Sequence, residues 1–290
     1  MLKTITANEF LRFVSESLSS SRSSLRTATM QKIKLIVSYD GTDFCGWQKQ
    51  KDHKHGPDKP SLQETIEGAL SKVLNEPIKL SASGRTDAGV HAAAQVAHFS
   101  TERKLPQDLC WALRSRLPTS IVVKSAWLAP KEFHSTLSAT HKTYRYLIWN
   151  AHRPTALLAR YSNWIRTPLD LQYLNAQAQF LKKNQDFKSF QSVGTPVKNT
   201  VREVFEARWI QRRQNLVEFQ ITGSGFLKQM VRNIVGTQID LFMKSQPIEK
   251  IDEILQVKDR KKAGTAAPAQ GLFLSRVYYP ADLDNKCRQI

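Results

Sequence analysis

Three things are scarce in this sequence, and each absence narrows what the chain can be. Cysteine occurs at positions 45, 110 and 287 only, and no two form a C-x-x-C pair. That argues against a disulfide framework and a zinc site, and fits a reducing, cytoplasmic setting. The seven histidines do not fall at metal-ligand spacings either. Long apolar runs are missing: none approaches the roughly 20 residues needed to span a bilayer, so no membrane association is expected. Acidic residues are few beside basic ones, 25 against 43, which leaves a formal net charge of +18. Such an excess says little about fold. It says that the protein attracts polyanions, and nucleic acid is the usual reason.

What is present is enough for a sizeable core. The chain has 290 residues, 41% of them hydrophobic, sufficient for one large domain or two of ordinary size. Residues 1–30 stand apart. Ser15 to Arg26 is Ser/Arg-rich and of low complexity, and without an apolar h-region it is not a secretory signal. This segment reads as a disordered extension, or as a start assigned upstream of Met30.

From Lys32 the pattern becomes periodic. Lys32 to Tyr39 reads as a strand closed by Asp40-Gly41. Ser61-Leu62-Gln63-Glu64 is a capping box. It opens an amphipathic helix whose stripe is Leu62, Ile66, Ala69, Leu70, Val73 and Leu74. Pro77 to Ala82 and Gln95 to Phe99 read as strands, Pro106 to Leu117 as a helix and Ile121 to Trp127 as a strand. The second part repeats this style without sequence identity. Strands are expected at Thr143 to Trp149, Val201 to Trp209, Leu216 to Ile221 and Leu272 to Tyr278. Helices are expected after Pro168, from Gly225, and over Pro247 to Leu255. The helix from Gly225 places Leu227, Met230, Ile234 and Gln238 on one side, with Arg232 and Gly236 on the other. Strands and helices in this order make α/β units of ferredoxin-like character.

The stretch Ser83-Gly84-Arg85-Thr86-Asp87-Ala88-Gly89-Val90-His91 is short, polar and flanked by apolar runs. Asp87 is therefore expected on a tight connection at a strand end. Gly84 and Gly89 let the backbone turn or approach a ligand closely, and Arg85 is near enough in sequence to pair with Asp87. A bare R-x-D is usually a turn with one surface ion pair; the intact nonapeptide says more.

Gly84 to His91 resembles the G-R-T-D-A-G-V-H signature of the TruA family of tRNA pseudouridine synthases. Tyr39 to Gln50 is similar to that family's Y-D-G-T-x-F-x-G-W-Q-x-Q segment. The likeness runs over residues 31–280 and includes Phe133-His134, Lys142 to Tyr146, Asp186 to Phe190, Phe226 to Gly236 and Gly271 to Leu274. The resemblance implies an α+β fold of two ferredoxin-like halves, 31–140 and 141–282, with a tail at 283–290. The halves would share a continuous, mainly antiparallel sheet with helices on the outer face and a central active-site cleft. It implies an isomerase acting on uridines of the tRNA anticodon stem-loop, working as a homodimer. Asp87 would be the nucleophile. Tyr144 would stack on the target base and accept a proton, and Leu272 would form the apolar wall. Gly84, Thr86 and Arg232 would lie beside them in the substrate site. Where the family commonly has A-R after Phe133-His134, this chain has Ser135-Thr136, so a basic group that would face RNA is expected to be missing there.

The chemistry makes its own demands. Isomerising a uridine breaks the N1–C1′ bond, turns the ring and bonds C5 to C1′. Nothing enters or leaves, so neither metal nor cofactor is required. A carboxylate can attack the ring or the sugar and hold a transient adduct; it must be ionised, and a nearby cation favours that form. Arg85 is the expected cation, or holds the space of an extruded base. Lys49, Lys51, Lys54, Arg114, Arg116, Arg145, Lys228 and Arg232 are candidate phosphate contacts. Two rival readings are weaker. A silent RNA-binding protein is opposed by the intact Arg85, Asp87 and Tyr144. A synthase for another RNA is opposed by the lack of a separate RNA-binding domain.

Overall fold

The computed structural model describes residues 29–48, 59–192, 194 and 197–290. The segment up to residue 28, and the loop that carries Lys49, Lys51 and Lys54, lie outside the described residues.

The first strand, β1 (Gln31–Tyr39), buries Ile33, Leu35 and Val37 in alternation. The expected Ser61 N-cap forms. Ser61 caps α1 (Leu62–Leu74) by accepting from the Glu64 amide at 3.1 Å, and Asn75 ends the helix in the left-handed region at φ 51°. The predicted strand before the Asp87 loop shrinks to β2 (Ser81–Ala82), which pairs with β3 (His91–Thr101). α2 (Leu109–Arg114) begins at Leu109 rather than at Pro106, because Asp108 supplies the cap, accepting from the Trp111 amide at 2.9 Å. β4 (Ile121–Ala129) follows.

The next elements are β5 (His141–Asn150), β6 (Asn163–Ile165), α3 (Leu171–Gln179, capped by Asp170) and β7 (Asn184–Asp186). The hairpin β8 (Val201–Arg213) and β9 (Leu216–Gly223) comes next, then α4 (Met230–Met243) and α5 (Lys250–Val257). β10 (Leu272–Tyr278), α6 (Ala281–Asp284) and β11 (Arg288–Gln289) complete the order.

α4 starts five residues later than the periodicity predicts. Gln229, just ahead of it, has φ 57°, and Met230 N–H bonds the Leu227 carbonyl in a turn. Ser224 to Gln229 is therefore a loop, and Gly236, expected on an outer side, is buried. A Cβ at Gly236 would lie 1.8 Å from the Thr265 carbonyl oxygen, so glycine is required for residues 265–267 to cross the helix this closely.

The strands form one mixed sheet in the order β11-β4-β1-β3-β10-β5-β9-β8-β7, with β2 and β6 paired at its margins. Neighbours are antiparallel except β3 with β10 and β5 with β6. The fold is the expected α+β arrangement of a continuous, mainly antiparallel sheet. The β3–β10 seam is short, with Phe273 opposite His91 and Leu274 opposite Ala92. α1 packs with α2 and α2 on β4; α3 packs on β8 and on α4, and α4 on α5. Gln238 of α4 fixes that layer, donating to the Leu174 carbonyl at 3.0 Å and accepting from the Trp209 indole at 3.3 Å.

Candidate active site

Asp87 lies on the connection from β2 to β3, beside the seam. The segment that follows β1 clamps this loop from one side. Gly46 and Asp87 form an isolated antiparallel bridge, and Trp47 N–H bonds the Thr86 carbonyl at 3.0 Å. Gly46 has φ 108°, and a Cβ there would lie 2.7 Å from that same carbonyl oxygen. Thr86 is buried, its hydroxyl 2.8 Å from the Tyr39 hydroxyl. Thr86 is thus pinned inward as part of the loop's frame, and Arg85 is left exposed.

The expected Arg85–Asp87 pair does not form. The cation at Asp87 is Arg232 of α4, whose Nη1 stands 3.7 Å from Oδ2. Arg232 is held for that task. Its Nε donates to the Ala267 carbonyl at 2.7 Å, and Ala267 N–H donates back to the Arg232 carbonyl at 3.0 Å. The Asp87 carboxyl is pushed above its usual 3.8 by burial, and Arg232 and Lys228 pull it back down. Arg232 and Lys228, read from the sequence as phosphate contacts, are therefore also the charges that favour the carboxylate. Their spacing along the chain does not signal this, since the loop at Ser224 to Gln229 interrupts the helical spacing.

Tyr144 enters from β5. Its ring is buried and meets Phe226 edge-on at 5.0 Å. Its hydroxyl makes no hydrogen bond among the described residues. Burial, with the nearby Tyr39 and the charge of Asp87, drives its pKa well above the ordinary phenol value. Leu272 is buried at the start of β10, opposite Tyr146 in the ladder. Tyr146 in turn donates to the Pro268 carbonyl at 2.8 Å. Gly84 lies next to the Lys142 ammonium: Nζ is 3.1 Å from where a Cβ would stand.

His91, last residue of the signature, stitches the loop to the seam. Its Nδ1 accepts from Gly41 N–H at 3.0 Å and its Nε2 lies 2.9 Å from the Arg160 carbonyl. The ring stacks on Phe273 at 4.7 Å, and burial lowers its pKa. The other charged candidates lie elsewhere. Arg114 and Arg116 are exposed at the end of α2, beside exposed Trp111. Arg145 is engaged by Glu218 at 3.6 Å.

A family model described as tRNA pseudouridine synthase matches residues 35–136 and 181–280. The chain belongs to the tRNA pseudouridine synthase family. A tRNA pseudouridine synthase A from Bdellovibrio bacteriovorus is 59% identical over 263 residues, which cover 89% of this chain and 99% of that protein. A second, from Ruminiclostridium cellulolyticum, is 41% identical over 251 residues, covering 86% of this chain and 100% of its own length. A chain of a solved Cbf5–Nop10–Gar1 complex aligns over 83% of this chain and 57% of that one, at 14% identity and a TM-score of 0.31, too distant for residues to be carried across. Membership makes the chain an isomerase that converts uridine in tRNA to pseudouridine. The family match skips residues 137–180 and so does not include β5, yet β5 delivers Tyr144 to the site. No helix among the described residues is long and apolar enough to cross a membrane.

Proposed function

We propose that this protein isomerises uridines in the anticodon stem-loop of tRNA, with Asp87 as nucleophile. One observation carries the reading. A half-buried carboxylate, a guanidinium held beside it and a buried tyrosine within its field converge from three separate elements. Asp87 attacks the ring or the sugar and forms a covalent adduct as the N1–C1′ bond yields. Arg232 and Lys228 keep the carboxylate ionised against the cost of burial. The detached ring turns, C5 bonds to C1′, and the adduct collapses, freeing the carboxylate. N1, which has lost its bond to C1′, must gain a proton from solvent, and C5 must then lose its own. Tyr144 stacks on the base. Because its phenol stays protonated, it takes that proton by passing its own to the freed Asp87 carboxylate, whose raised pKa suits it to accept. Leu272 forms the apolar wall. Arg85, exposed at the loop, fills the space of the extruded uridine. Gly84 and Thr86 shape the loop rather than bind the base directly. The protein acts as a homodimer in the cytoplasm. Its two halves, 31–140 and 141–282, each supply part of the site. The net charge of +18 draws the tRNA by its phosphates.

Tritium release from 5-tritiated uridine in tRNA tests the central assignment. Asp87→Asn should fold, bind tRNA near the parental affinity and release no tritium, since binding rests on many phosphate contacts. The sign of the stability effect is also fixed. A folded pKa raised by burial means that the ionised form burdens the fold above that pKa. Asp87→Asn should therefore melt no lower than the parent at neutral pH. Sustained multiple turnover by the folded variant, with reversion of Asn to Asp excluded, would remove Asp87 from the role.

A further inference from the structure

Four consecutive carbonyls lead into the Asp87 loop, and each accepts from a different side chain. Ser81 accepts from the Ser135 hydroxyl at 2.6 Å and Ala82 from the Thr136 hydroxyl at 2.6 Å. Ser83 accepts from Lys142 Nζ at 2.6 Å and Gly84 from Gln95 Nε2 at 2.9 Å. The Gln95 amide is itself oriented by the Ser83 hydroxyl, which donates to Oε1 at 2.7 Å. A two-residue strand has few ladder bonds to hold it, and these side chains supply the rest. The departure at Ser135-Thr136 from the family's A-R is thus part of the mount beneath the catalytic loop.

Lys142 differs from the other three donors. It lies across the seam on β5, two residues before Tyr144, opposite Gly223 on β9 and Val277 on β10. Its ammonium has no carboxylate within ion-pair distance among the described residues. A neutral donor could make the same bond without burying a charge; an ammonium makes it stronger and shorter. The cost of burying this charge therefore calls for a role beyond packing.

We propose that Lys142 is a positioning residue that fixes the loop bearing Arg85 and Asp87 against the strand bearing Tyr144. The inference deepens the reading in which Asp87 and Tyr144 act on one base, and rests on it. Burial alone lowers the Lys142 pKa, from 10.5 to about 8. Ionisable groups near it in the fold are His141 on its own strand, Arg276 and Tyr278 on β10, and Arg85 and Asp87 on the loop; none of them enters that shift. The ammonium is present below about pH 8 and is lost as pH rises through that value. The charge-assisted bond to Ser83, and the alignment it holds, should weaken with it.

Single-turnover rates at saturating enzyme, followed from about pH 6 to 10 for the parent, Lys142→Met and Lys142→Arg, test this, with tRNA affinity measured alongside. The parental rate should fall above about pH 8. Lys142→Met should lower the plateau by about 10²-fold, the order expected for a misplacement near 1 Å. It should keep its affinity for tRNA and lose the alkaline decline. Lys142→Arg should recover much of the plateau and carry the decline out of range, because a guanidinium stays charged. A parental profile flat through pH 8 overturns the proposal, whatever the variants do. So does parental turnover by Lys142→Met, or a decline that Lys142→Arg leaves in place. Should Lys142→Met not fold, the parent and the arginine variant still decide. Asp87→Asn assayed in parallel separates the failures. Turnover by that variant would sink the nucleophile, whereas an inert Asp87→Asn beside an indifferent Lys142→Met would sink only the positioning role.

Discussion

The two sides of the seam contribute to the site by different means. On the side of β1 and β3, the site is made of backbone. Asp87 stands on a loop whose peptide groups are bridged to Gly46, bonded to Trp47 and mounted on side chains at four successive carbonyls. On the side of β5 and α4, it is made of side chains that regular elements deliver: Tyr144 from a strand, Arg232 from a helix. The proposed nucleophile needs fixed coordinates, and interlocked peptide groups give them. The proposed stacking ring and the counter-charge need reach, and long side chains on rigid elements give that. The difference teaches that substitutions on the two sides should fail differently: the first by losing chemistry outright, the second by graded changes of rate, stability or charge.

The largest expected effect on the side-chain side is at Tyr144. Tyr144→Phe keeps the edge contact with Phe226 and removes the hydroxyl. Binding should hold while tritium release slows by about 10²–10⁴-fold, the range for a lost acid–base group. Unchanged release would reduce Tyr144 to a stacking surface.

Next in size is a pair of glycines. Gly236→Ala drives a methyl into the Thr265 carbonyl and disturbs the 265–267 segment that holds Arg232. It should cost about 1–3 kcal/mol in denaturant unfolding and slow turnover as well. Gly68→Ala in α1 meets nothing within 4 Å and should stabilise by about 0.5–1 kcal/mol. Equal effects at the two sites would show that the close crossing at α4 does not matter.

Arg232→Gln gives a subtler change. In the proposed mechanism the carboxylate is the active form, and burial already raises its pKa. The acid limb of the single-turnover profile should therefore lie above the ordinary carboxylate value of 3.8, and removing the guanidinium should move it higher still. A limb that stays put would mean that Arg232 does not tune Asp87. The smallest effect is expected at Arg114 and Arg116, exposed and far in the chain from both halves of the site. Replacing both with alanine should flatten the log–log salt dependence of tRNA binding by about 0.7–0.9 for each phosphate that is no longer neutralised. An unaltered slope would place the RNA elsewhere.

What the sequence made legible follows the same division. Local signals were legible: the strand β1, the Ser61 cap of α1, the helix after Pro168 and the placement of Asp87 on a strand connection. Each depends on residues within a few positions of one another. Long-range choices were not legible. Ile78 and Leu80 are buried without extending β2, because a strand exists only where a partner's ladder continues. Arg232 won the place expected for Arg85, because pairing across the seam depends on how α4 packs and not on separation along the chain. The apolar stripe from Gly225 ran on through a loop, because Phe226 and Leu227 pack inward without being helical. β6 and β7, three residues each, carry too short a pattern to declare themselves.

Among the described residues, β10 and β11 follow every other strand, yet each completes a part of the sheet laid down long before it. β10 slots between β3 and β5, and β11 covers the outer edge at β4, with Asp284 drawn to the buried Lys34 on the way. Until β10 and β11 have formed, the strands flanking these gaps have open edges. Open edges invite pairing with other chains, and contacts of such high sequence separation form slowly. The nascent protein therefore cannot bring Tyr144 against Asp87 early. A chain still lacking β10 holds Asp87 and Tyr144 on pieces of sheet that no other strand joins.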